Sequence, residues 1–147
     1  MKLFLDTRLI VGSKTKEKFI QQMKRATIDK INQLAPGDIS GREVNAIISK
    51  AKKAKVDIWT MLELEKIAYQ GFISMMNEYG FWDERIEEMG CRHLGIYLSL
   101  LKTKVKDKEE QLKLIEEARN YLLSLNNMCV DYVYDTFEEV MGESVHA

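Results

Sequence analysis

The sequence predicts an all-α protein: five or six helices in a bundle or orthogonal packing, with a short N-terminal extended segment. Three observations point there. Apolar residues recur at spacings of three and four through most of the chain. One proline and eight glycines in 147 residues are too few for an all-β chain, which turns about every 8–12 residues. A composition of 46% apolar and 31% charged residues fits a globular domain rather than a disordered polymer. The length can bury a core without disulfide or metal staples, so residues 1–147 read as a single domain.

The N-terminus holds the one strand-like pattern. Leu3, Leu5, Thr7, Leu9 and Val11 alternate with Phe4, Asp6, Arg8 and Ile10, and Gly12-Ser13 closes the run. A lone strand leaves its backbone groups unpaired. Residues 3–11 therefore pair with another chain, or form an arm or an early helix.

A first helix is expected from about Lys14 to Leu34, with Ile20, Met23, Thr27, Ile31 and Leu34 inward and Ala35-Pro36-Gly37 ending it. Ser40-Gly-Arg-Glu43 has the form of a capping box. It opens a second helix that runs to about Lys55 with Val44, Ile47, Ile48 and Ala51 inward. Asp57 caps a third helix, whose inward positions include Ile58, Met61, Leu62, Leu64, Ile67, Ala68, Phe72, Met75 and Met76, ending at Tyr79-Gly80. Asp83 caps a fourth, with Ile86, Met89, His93, Leu94, Tyr97, Leu100 and Leu101 inward.

After a lysine-rich connector, Asp107 is the next cap. Helical period then continues through Leu112, Ile115, Arg119, Leu122, Asn126, Cys129, Val133, Phe137 and Val140. An unbroken helix over 108–141 would measure about 51 Å, against a diameter of roughly 38 Å for a compact domain of this size. The expectation is a long C-terminal helix that bends at Asn126-Asn127 or projects onto another chain, where Arg119 and Asn126 would set register. Two helices with a break fit equally well.

Signals for catalysis are poor. The chain has no phosphate-binding glycine loop, nucleophile elbow or zinc-protease motif. His93 reads as a satisfied core histidine, and Cys91 and Cys129 read as small apolar residues in helices. Two cysteines outside any C-x-x-C pair suggest a reduced, cytoplasmic setting. No apolar run reaches the roughly 18 residues of a membrane span. The carboxylates at Glu109, Glu110, Glu116 and Glu117 fall between apolar positions and face water. No cofactor or metal is called for.

Charge is unevenly spread. Residues 1–55 carry 13 Lys+Arg and 5 Asp+Glu, a net of +8, and residues 56–147 carry a net of −9. The overall −1 is a cancellation, so it excludes no polyanionic partner. Candidate contacts to nucleic acid or an acidic partner are Arg8, Lys14, Lys16, Lys18, Lys24, Arg25, Lys50, Lys52, Lys53 and Lys55.

Two DNA-binding geometries are open to such a chain. A helix-turn-helix over the second and third helices would aim Trp59, Glu63 and Glu65 at the groove, which is the wrong charge. A ribbon-helix-helix dimer, with residues 3–11 pairing with their twin, fits better, although the first helix is too long for it. The leading expectation is a non-enzymatic regulatory or interaction protein, dimeric, whose basic N-terminal third binds nucleic acid or an acidic partner. The alternative is a helical inhibitor, immunity or adaptor protein. Its working surface would be acidic: Asp131, Tyr134, Asp135 and Glu138.

Overall fold

The structure, a computed structural model, describes residues 12–33, 37–79, 84–125 and 131–146. Among these it has six helices and no strand: α1 (Ser13–Gln33), α2 (Gly37–Lys53), α3 (Ile58–Tyr79), α4 (Glu84–Lys104), α5 (Lys108–Leu123) and α6 (Asp131–Met141). The expected strand over 3–11, with Arg8, lies outside the described residues, as do Asp83, Asn126, Asn127 and Cys129. No helix of the described residues is long and apolar enough to cross a membrane.

Helices α3 and α4 form the central pair. Helix α4 places Ile86, Gly90, His93, Leu94, Tyr97, Leu98 and Leu101 inward at spacings that keep one stripe facing its neighbours. Opposite it, Phe72, Ile73, Met76 and Tyr69 of α3 are buried. The crossing is close because Gly90 has no side chain: a Cβ there would sit 3.0 Å from Ile73.

On one side lie α1 and α2. Met23, Ala26 and Thr27 of α1 are buried, and so are Val44, Ile47, Ile48 and Ala51 of α2. Helix α1 runs in the same direction as α3. Lys16 meets Asp57 at the start of both helices, and Thr27 packs on Gly71 further along, where a Cβ would lie 2.6 Å from that of Thr27. Helix α2 starts at Gly37, so Ser40 falls inside its first turn and is not the expected cap. The start follows Pro36 directly in the sequence, and a proline favours the opening of a helix over its continuation.

Helix α2 ends in a Schellman motif. Lys55 N–H donates to Lys52 O and Val56 N–H to Ala51 O, with Lys55 at φ 57°. That left-handed position favours glycine. Asp57 then precedes α3: its carbonyl accepts from Met61 N–H, and its carboxylate accepts from the Thr60 hydroxyl at 2.5 Å. Partial burial raises the Asp57 carboxyl, but the Thr60 hydroxyl and Lys16 outweigh it and hold the group below its ordinary value.

On the other side lie α5 and α6. Asp107 caps α5 as expected, its carboxylate accepting from Glu109 and Glu110 N–H. The helical run over 108–141 is not one rod but two helices. Helix α5 closes at Ser124, whose N–H turns back to Asn120 and Tyr121 carbonyls, and the Tyr134 hydroxyl of α6 donates to Leu122 O at 3.1 Å. The end of one helix is thus satisfied by a side chain of the next. Arg119 sets register within the chain: its guanidinium lies over Phe137 at 5.3 Å and pairs with Glu116 and Glu143. Gln111 donates to Leu101 O and Val105 O, tying α5 to the end of α4.

Candidate functional site

Among the described residues, three places carry chemistry: the basic face of α1 and α2, the acidic face of α6, and a cavity between α2, α3 and α4.

The basic residues come mostly to one end of the α1–α2 pair. The two helices run antiparallel, and the Lys16–Asp57 ion pair at 3.3 Å fixes the start of α1 beside the segment that leaves α2. Lys14 and Lys18 at that start join Lys50, Lys52, Lys53 and Lys55 at the end of α2, all of them exposed. Arg25 continues the Lys14–Lys18 stripe at helical spacing, and Lys24 lies beside it. Of these and Lys16, only Lys16 has an ion pair among the described residues. Trp59, 49% exposed, stands in the first turn of α3, directly after this end. Sequence reasoning gives Trp59 no role beyond a helix-turn-helix of the wrong charge. Its available signal is an aromatic outside the apolar stripe of α3, next to a run of lysines.

On α6, Asp131, Asp135 and Glu138 are exposed at spacings of four and three. Tyr134 is half-buried: its hydroxyl is used by Leu122 O, and its ring meets His146 edge-on. The aromatic offered to solvent is instead Tyr132, 62% exposed. Behind this face the Cys91 thiol is pushed up by burial, with Glu87, Asp135 and Glu139 adding to the shift against a hydrogen bond from Thr136. That cysteine is not an activated nucleophile.

The cavity measures about 560 Å³. Ile48, Ile58, Met61, Ile96 and Leu100 form apolar walls, and Asn45, Ser49, Lys52 and Arg92 form the rim. At its floor His93 and Glu65 are each 2% exposed and meet at 2.6 Å through His93 Nδ1 and Glu65 Oε1. The His93 ring also stacks on Phe72. The sequence puts His93 in the core, and it is there. A helix-turn-helix would turn Glu65 outward, but Glu65 is buried because it falls on the Leu62–Tyr69–Phe72 line of α3. Its position on that line is the sign of it in the sequence.

Among the described residues, no group of three or more His, Cys, Asp or Glu side chains is placed to hold a metal ion. No family model matches the chain, and no curated protein or solved structure resembles it significantly.

Proposed function

We propose that this is a small non-enzymatic interaction protein, regulatory in role, whose basic α1–α2 end binds nucleic acid through its phosphates. The observation that supports it is the set of exposed cations that have no carboxylate partner among the described residues on that end, beside the exposed ring of Trp59. Lysines that neutralise phosphates release counterions, which gives affinity without sequence reading. An adjacent exposed indole adds a stacking surface for an unpaired base. A helix-turn-helix reading of α2 and α3 is disfavoured by geometry, since the face of α3 that carries Glu65 packs inside the protein.

Titration with a short duplex and a single-stranded oligonucleotide tests the proposal. Binding should weaken steeply with salt, and replacing Lys14, Lys18, Lys50 and Lys53 by glutamine should flatten the salt slope. For duplex the slope falls by about 0.9 for each phosphate no longer neutralised. Absence of binding to both at low salt would overturn the reading in favour of an acidic protein partner. Dimerisation through residues 3–11 belongs to the same proposal. Its check is the solution mass of the chain with and without that segment.

A second reading has its own support: exposed Tyr132 amid Asp131, Asp135 and Glu138 on α6. An exposed aromatic within a charged rim is a common anchor of protein–protein contacts. This reading makes the chain an inhibitor or adaptor for a basic protein surface, with Tyr132→Ala as the variant that abolishes capture.

A further inference from the structure

The cavity between α2, α3 and α4 has the parts of a binding site of its own, sharing Lys52 alone with the proposed basic surface. Its volume lies within the usual range of small-molecule pockets, about 300–1,000 Å³. Its walls are apolar, its rim carries two cations, and its floor is a buried polar pair.

The polar pair at the floor is incomplete. A carboxylate taken out of water is strongly disfavoured unless hydrogen bonds replace the lost solvent. His93 supplies one bond to Glu65. Among the described residues the far nitrogen of the His93 ring, Nε2, has no partner. Arg119 Nε is, among the described residues, the buried side-chain polar atom left unsatisfied, and His93 lines the cavity, so its Nε2 is not sealed in the core but opens there. Whether Nε2 donates or accepts depends on the state of the ring, and a hydroxyl can do either. The floor therefore suits a hydroxyl.

The rim is positive. Lys52 and Arg92 are exposed, belong to different helices, and have no carboxylate partner among the described residues. Glu65 is the one acid among the residues that line the cavity, and it is already engaged by His93. Between rim and floor, Ile48, Met61, Ile96 and Leu100 offer nothing polar.

We infer that this cavity binds a small organic anion with an apolar body, its carboxylate held by Lys52 and Arg92 and a hydroxyl at its far end bonded to His93. The site shares Lys52 with the basic end, and the nucleic-acid proposal is tested without that residue, through Lys14, Lys18, Lys50 and Lys53.

The test uses the full chain and three probes: 4-(4-hydroxyphenyl)butyrate, its uncharged amide, and 4-phenylbutyrate. Calorimetry gives affinities, and nitrogen-detected NMR follows Ser49, Met61, Ile96 and the His93 ring. The hydroxylated acid should bind saturably, shift those signals together, and bind about tenfold tighter than the amide, a difference of roughly 1.4 kcal/mol. Removing the hydroxyl should weaken binding several-fold and leave the His93 Nε2 signal unmoved. The Lys52→Gln/Arg92→Gln double variant changes only exposed side chains, so it should fold normally and bind the acid no better than the amide. Leu100→Trp should block all three probes. Equal affinity for acid and amide, unchanged binding by the double variant, shifts confined to other helices, or no saturable binding of any probe would overturn the inference.

Discussion

The two flanks of the α3–α4 pair are held by different means. Helices α5 and α6 are fastened by polar side chains. Tyr121 donates to Gln70 O and bonds Ser74, Gln111 reaches two carbonyls of the α4 end, Lys102 donates to Val140 O, and Arg119 joins α5 to Glu143. Helices α1 and α2 lie on the pair mainly by close packing, with Gly71 under Thr27 and Gly41 under Met89. The Lys16–Asp57 ion pair ties the start of α1 to that of α3. One flank spends its polar groups on its own fold, whereas the other keeps its cations for solvent or a partner. A charge excess on the sequence becomes an available surface only where the fold does not consume it.

Four substitutions probe this contrast, the most damaging first. Phe137→Ala removes a fully buried ring from beneath Arg119. It should cost about 3–5 kcal/mol in urea unfolding and release α6, while leaving the α1–α2 amide signals in place. Gly71→Ala forces a methyl group against Thr27 and should cost about 1–3 kcal/mol. Its signature is a shift of α1 resonances with α5 and α6 unchanged. Tyr121→Phe deletes the hydroxyl that bridges α5 to α3 and should cost about 1 kcal/mol. Lys55→Gly relieves a left-handed residue and should stabilise the protein by up to about 1 kcal/mol, seen as a raised melting temperature. If Tyr121→Phe proves as damaging as Gly71→Ala, polar fastening and close packing are equivalent here and the contrast fails.

Much of the core is legible from spacing. Val44, Ile47, Ile48 and Ala51 are all buried as the helical period requires, and Ile86, Leu94, Tyr97 and Leu101 line α4. The failures have physical causes. Leu112 continues the period of α5 but is 63% exposed, since the face of α5 turned to the core carries Ile115, Ala118 and Leu122 and leaves Leu112 outside it. The end of α5 depends on a tyrosine hydroxyl twelve residues away in sequence, which no local pattern announces. The basic cluster is legible as composition, but its gathering at one end requires the antiparallel course of α1 and α2. The burial of Glu65 is hidden because a carboxylate on an apolar stripe is credible only once its partner is known. That partner, His93, is 28 residues further on.

The central pairing of α3 with α4 also bears on how the molecule acquires its shape. These helices are neighbours in the chain, separated only by residues 80–83, so their meeting closes a short loop at little entropic cost. Chains dominated by such local pairings fold in microseconds to milliseconds. The α3–α4 hairpin is then the expected nucleus, and the outer helices condense on it afterwards. Truncating Ile73 or Leu94 should slow refolding, whereas truncating Val133 should mainly speed unfolding.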